Sequence, residues 1–140
     1  PGHVYGPTAT QSDNRASSQF PRDVKAGLDI VMKSPGAQLR SYCYVLDCAS
    51  AVLAVMLRGA VGQAYNISNR NSVVTIRQMA QAFADAAGRK LIFETATDAE
   101  QKSYNLMDNS ALDAKSLEDL GWQGLFNLQE GVEATLDAIG

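Results

Sequence analysis

Arg40-Ser41-Tyr42-Cys43-Tyr44-Val45-Leu46-Asp47 is the stretch whose reading decides the fold. An arginine opens it, aromatic residues recur behind it with the period of two that a strand requires, and an Asp stands where a helix N-cap falls. A strand is therefore expected over Arg40 to Val45, then a helix capped by Asp47 that runs to about Arg58 and stops at Gly59. Ala49, Val52, Leu53 and Met56 keep helical spacing, while Ala51, Ala54, Val55 and Leu57 fill much of the remaining circumference. A helix apolar on so many sides is expected to lie buried between layers.

Working outward, Pro1-Gly2-His3-Val4-Tyr5-Gly6-Pro7 lacks an initiator Met and reads as a strand end running into a turn, as in the interior of a longer polypeptide. A polar loop from Thr8 to Arg15 leads to a helix from about Ser18 to Ala26, with Ser17 or Ser18 as N-cap, Pro21 in the first turn and Gly27 as stop. Asp29 to Met32 reads as a strand and Ser34-Pro35-Gly36 as a turn. Downstream, Gln63 to Ile67 reads as a strand, and Thr75 caps a helix with the stripe Ile76, Met79, Ala80, Phe83 and Ala87, ended by Gly88. Lys90 to Glu94 is β-like, a short helix spans Asp113 to Leu120, and a last helix from Leu128 to Ile139 sets Leu128, Val132, Leu136 and Ile139 on one face. The pattern is α/β: short strands and about five helices in one unit, residues 1–140.

Composition narrows the function classes. Hydrophobic residues make up 46% and charged residues 19%, as in ordinary globular chains. A net charge of −3 supplies no basic stripe, so no nucleic-acid partner is expected. No apolar run approaches the roughly 18 residues of a membrane span, and no signal segment is visible, so the expected setting is cytoplasmic and away from the membrane. Cys43 and Cys48 read as small buried apolar residues, and with His3 as the single histidine no metal-ligand set exists. A hydrolase triad has no nucleophile elbow to sit on.

Taken in order, Val4-Tyr5-Gly6-Pro7, the Arg40 to Asp47 run, Tyr65-Asn66-Ile67 and Leu120-Gly121-Trp122 resemble the C-terminal, substrate-binding half of the extended short-chain dehydrogenases, the NAD-dependent nucleotide-sugar epimerases, dehydratases and decarboxylases. The resemblance implies a Rossmann-type parent whose N-terminal, dinucleotide-binding portion lies outside these 140 residues. The strands at Val4-Tyr5 and Tyr65-Asn66-Ile67 would complete that portion's sheet. Left unpaired, their edges invite either the missing half or a homodimer. NAD is implied for the parent and not for these residues alone. Dinucleotide binding needs a glycine-rich turn between a strand and a helix, and none is present. The family's Tyr-x-x-x-Lys is also missing, because Tyr5, Tyr42, Tyr44, Tyr65 and Tyr104 all lack a Lys four residues on. No catalytic residue is assigned, and the chain by itself is expected to be inactive.

The resemblance also assigns binding roles. Arg40 implies a forked contact to the diphosphate of a nucleotide sugar, against the plain alternative of a solvated or surface-paired arginine on a strand edge. Asp13 to Phe20 resembles the Asp-Gly-Arg-Val-Val-Ser-Asn-Phe segment of the UDP-glucuronate decarboxylase branch, which lays Ser18, Gln19 and Phe20 along the nucleotide and sets Arg15 near the nicotinamide. An ordinary helix cap is the alternative there. Gln38, in the turn before the arginine strand, would donate to a base or ribose, unless the turn is only a turn. His3 takes the place of an Asn beside sugar and nicotinamide, or lies loose at the terminus. Lys102 is the nearest cation for the second phosphate contact, where relatives use Arg. Two other readings stay open: a non-catalytic binding module on the same fold, and part of an NAD(P)-dependent reductase with a non-nucleotide substrate.

Overall fold

The computed structural model describes residues 1–10, 12–97 and 107–140. Its central strand is the arginine run, β3 (Leu39–Tyr44). On one side β1 (His3–Tyr5) pairs parallel to its second half, His3 opposite Tyr42 and Tyr5 opposite Tyr44. β4 (Val73–Thr75) pairs antiparallel to its first half, and β6 (Asn109–Ser110) pairs parallel there with Arg40 opposite Ser110. A separate parallel pair joins β2 (Ile30–Met32) to β5 (Leu91–Phe93). Among the described residues the helices are α1 (Ala16–Lys25), α2 (Val45–Arg58), α3 (Ile76–Ala86), α4 (Lys115–Glu118) and α5 (Leu128–Ile139). None is long and apolar enough to cross a membrane.

Two apolar clusters flank β3, as its alternation requires. Tyr42 and Tyr44 join Tyr5, Phe20, Val24, Ile30, Met79, Phe83 and Val132, tying α1, α3 and α5 to the sheet. Cys43 points the other way, to Ala51, Ala54, Ile67, Leu117 and Trp122. α3 starts where expected: Thr75 Oγ1 accepts from Gln78 N at 3.1 Å, and the Gln78 side chain accepts from Thr75 N in return, a full capping box. Asn127 and Glu130 build a second one on α5.

Several expectations are corrected. α1 begins at Ala16 with Arg15 in the cap position, so Ser17 and Ser18 lie inside it, buried, and Pro21 is mid-helix and not in the first turn. Asp13 orders this start instead, accepting from Arg15 N and from Ser18 Oγ. Val45 belongs to α2, whose cap position is Tyr44. Asp47 therefore caps nothing. Its buried carboxylate turns inward and accepts from Leu125 N, Phe126 N and Asn69 Nδ2, pinning the loop before α5. Residues 63–67 form no strand, because their sheet-like tie is a single bond, Gly2 N to Ile67 O at 2.9 Å. α2 is also not buried on all sides: Ala51 and Ala54 face the core while Leu46, Ala49, Leu53, Met56 and Leu57 stand exposed. Cys43 is buried, Cys48 half-buried, and both are free thiols.

Candidate functional site

One face of the sheet gathers the polar groups of interest. Arg40, Tyr42 and Tyr44 project from alternate positions of β3, and His3 and Tyr5 stand opposite the two tyrosines on β1. The His3 and Tyr42 rings lie 5.7 Å apart, and the Tyr5 and Tyr44 rings also 5.7 Å. Burial pushes the Tyr42 phenol up to about 12, with the Arg40 charge pulling weakly the other way. Burial raises Tyr5 as well, with Cys43, Asp47 and Tyr44 adding to it. Neither phenol can act as a base near neutral pH. His3 is held below the ordinary imidazole value, first by burial and then by the charges of Arg40 and Arg15. It is therefore a neutral hydrogen-bonding group at neutral pH.

Arg40 is only 4% exposed on the central strand, which removes the strand-edge alternative. Among the described residues its hydrogen bond runs from Nη1 to the Leu39 carbonyl at 2.9 Å, and no carboxylate pairs with it. Two further polar groups close by in the strand pairing lack partners among the described residues. Gln38 gives its backbone carbonyl to Ile76 N, but its Oε1 is buried without a hydrogen bond. Ser110, the register partner of Arg40 on β6, has a buried and unpartnered Oγ. Sequence reasoning named Gln38 and Arg40 and missed Ser110, since two residues of strand leave no periodic signal.

The α1 entrance holds the next group. Asp13 accepts from Arg15 Nε at 3.0 Å and from Arg15 Nη2 at 2.6 Å, and Ser18 Oγ donates to it at 2.8 Å. The Arg15 bonds, aided by Ser18, hold the Asp13 carboxyl well below the usual carboxylate range. Arg15 thus offers its charge already shared with a carboxylate. Ser18 acts only through Asp13, Gln19 is exposed, and the Phe20 side chain is committed to the core. Lys102 lies outside the described residues.

A cleft of about 280 Å³ opens between Val4, Tyr5, Gly6, residues 8–10, Arg15 and Val45. It sits at the carboxyl ends of β1 and β3, the end at which open α/β sheets take ligands. Arg40 stands at the other end of β3, roughly 13 Å away by strand rise. The structure thus brings Arg40, His3, Gln38 and Ser110 to one end of the strand and Arg15 with Asp13 to the wall of the cleft, Ser18 lying buried behind Asp13. Among the described residues it does not form a dinucleotide cradle: the β3–α2 junction, Tyr44-Val45, has no glycine, and β1 runs through Gly6-Pro7 into a loop and not a helix.

Known proteins share this sequence pattern and this fold. Residues 1–68 match the sequence profile of the NAD dependent epimerase/dehydratase family. The chain is 27% identical over 134 residues to UDP-glucuronic acid decarboxylase 3 of Arabidopsis thaliana, covering 93% of this chain and 36% of that protein. It is 26% identical over 153 residues to a dTDP-glucose 4,6-dehydratase of Xanthomonas campestris, covering 96% of this chain and 43% of that one. The structure superposes on Thermus thermophilus UDP-glucose 4-epimerase in complex with NAD with a TM-score of 0.79 and 25% identity, covering 99% of this chain and 44% of that chain. The fold is that Rossmann-like α/β fold, and the proteins it matches are NAD-dependent enzymes of the epimerase and dehydratase type. The chain spans about two fifths of the length of these relatives.

Proposed function

We propose that this chain belongs to the NAD-dependent epimerase/dehydratase family and forms the substrate-binding portion, residues 1–140, of an enzyme that acts on a nucleotide sugar. The observation that carries this reading is the state of Arg40. A guanidinium withdrawn from water is costly unless an anion meets it, and here a backbone carbonyl is its hydrogen-bond partner. Buried polar atoms without partners among the described residues call for an explanation, and Gln38 Oε1 and Ser110 Oγ belong to residues next to Arg40, one just before its strand and one opposite it in register. A diphosphate supplies the anion. Ribose or base hydroxyl and N–H groups supply donors for Gln38, and the Ser110 hydroxyl can donate to a phosphate oxygen. The matched decarboxylase, dehydratase and epimerase share a nucleoside diphosphate sugar in their names, which is the same chemistry.

His3 and Arg15 then face the sugar and nicotinamide side, with Gln19, exposed on α1, along the nucleotide and Lys102 assigned to the second phosphate contact, while Ser18 contributes only by holding Asp13 and Phe20 stays in the core. NAD binds a separate dinucleotide-binding portion of the longer polypeptide, where it would supply reversible hydride transfer. These residues hold the sugar for it. The test is a titration of UDP-, dTDP-, GDP- and CDP-sugars into the polypeptide that joins both portions, with turnover measured in parallel. One nucleotide class should bind and turn over with NAD, while the 140-residue chain alone should be silent. Turnover by the chain alone, or no binding of any of the four by the joined polypeptide, would remove the reading. Binding without turnover would turn the protein into a non-catalytic module.

A further inference from the structure

We propose that Arg22 is a positioning residue for the cleft: it holds the loop that carries Thr10 and Asp13 and, through Asp13, sets the guanidinium of Arg15. The proposal rests on the reading above, which turns Arg15 to the sugar and nicotinamide side, and adds the residue that fixes it there. Arg22 lies in the last turn of α1, where a basic side chain ordinarily serves the carbonyls and dipole of the helix C-terminus. This one reaches the other way. Helical side chains tilt toward the N-terminus of their helix, and Arg22 extends back along α1 to the loop that precedes it. Its Nη1 donates to the Thr10 carbonyl at 3.0 Å and its Nη2 to the Asp13 carbonyl at 2.6 Å. The Thr10 carbonyl also accepts from Asp13 N at 3.1 Å, so the guanidinium fork grips both ends of one backbone turn.

Arg15, Ser18 and Arg22 follow at i, i+3 and i+7, the spacing of one helical face. Asp13 meets all three. Its carboxylate accepts from Arg15 N, from the Arg15 side chain and from Ser18 Oγ, while its backbone carbonyl accepts from Arg22. Main chain and side chain of Asp13 are thus held by different partners. The cleft is lined by Thr10, Asp13 and Arg15 and not by Arg22, so Arg22 acts on it only through what it holds. The Arg15 side chain is 51% exposed, and an exposed arginine keeps a single geometry only against its own rotamer freedom. Asp13 supplies that restraint, and the Arg22 fork keeps Asp13 in place. A wall ordered before the ligand arrives spares the ligand the cost of ordering it.

The test uses the polypeptide that joins both portions. Arg22→Ala and Arg22→Lys are compared with the parent by amide exchange at Asp13 and Arg15 and by titration with UDP-, dTDP-, GDP- and CDP-glucose. In Arg22→Ala, exchange at Asp13 and Arg15 should quicken about 10-fold, because their hydrogen bonds open with the loop. Affinity for the nucleotide sugar that the parent binds should fall about 10-fold as well. Arg22→Lys should recover part of both effects, since it restores the charge without the rigid fork. Arg15→Ala should also weaken binding, and adding Arg22→Ala to it should cost little more, as two residues acting through one contact are not additive. Unchanged exchange in Arg22→Ala overturns the clamp. Faster exchange with unchanged affinity, or an equal further loss of affinity in the Arg15→Ala background, overturns the positioning role while the reading above stands. No binding of any of the four by the parent removes the reading above, and the positioning role with it.

Discussion

Replacing Asp47 should cost far more than replacing a helix cap. The carboxylate, 1% exposed, accepts from Leu125 N at 2.8 Å, from Asn69 Nδ2 at 3.0 Å and from Phe126 N at 3.2 Å. Asn69 passes the constraint on, donating also to the Phe126 carbonyl at 2.6 Å and accepting from Asn71 N at 2.9 Å. Hydrogen bonds to a charged group contribute about 1.5–3 kcal/mol each, and three that share one carboxylate are not additive. Asp47→Ala is therefore expected to lose about 3–4 kcal/mol, against about 1 kcal/mol for a lost N-cap. For a chain of this size that is a fall in Tm on the order of 10 °C. Urea unfolding gives the free energy, and Trp122 reports the site, since its ring is buried and its Nε1 donates to Ser50 Oγ at 3.0 Å beside the pinned loop. Asp47→Asn keeps one acceptor oxygen and should lose roughly half as much. A loss of about 1 kcal/mol or less in Asp47→Ala, with unchanged Trp122 emission, would return Asp47 to the role of a surface cap.

Three further outcomes follow from the packing around β3. His3 has a folded pKa below its unfolded value, so the unfolded chain takes up its proton first as pH falls. Its contribution should be complete above pH 6.5 and decline as pH drops from there through the folded pKa, and His3→Gln should flatten that part of a stability profile. Burial pushes the Cys43 thiol up to about 12, so a thiol reagent at neutral pH should modify Cys48 and leave Cys43 until the chain unfolds. Gly131 lets α5 pass directly over the Tyr5 hydroxyl, which has no hydrogen-bond partner among the described residues. Gly131→Ala should cost about 1–3 kcal/mol in denaturant titration, and less in a Tyr5→Phe background, where the obstructing oxygen is gone.

Much of this was legible in the sequence because local rules governed it. Thr75 and Gln78 make their capping box whatever surrounds them, and Gly27 and Gly88 end their helices with φ of +76° and +62°. The alternation from Arg40 to Tyr44 gave β3 and its two clusters. Asp47 misled because its partners, Asn69 and the 125–126 backbone, are distant in sequence, and a buried acceptor at the third helical position has the same local pattern as a cap. Ser17 and Ser18 misled for a similar reason: Asp13, placed outside the helix, does the ordering that a capping serine would do. Residues 63–67 have strand composition but too little sheet beside them to pair with. At the site, the arginine was visible through its strand, whereas Ser110 becomes relevant only through its register with Arg40. The all-round apolar pattern of α2 misled as well, because only Ala51 and Ala54 of its apolar residues are buried while Leu46, Leu53, Met56 and Leu57 stand exposed.

Arg40 is the most direct test of the substrate reading. In the polypeptide joining both portions, affinity for UDP- and dTDP-sugars should fall about 100- to 1,000-fold in Arg40→Ala, as for loss of a charge-assisted forked contact, while NAD affinity stays unchanged. Arg40→Lys should recover part of the loss, because a lysine restores the charge without the fork. Nucleotide-sugar affinity that is the same in Arg40→Ala as in the parent would contradict the assignment and leave this buried guanidinium a purely structural group.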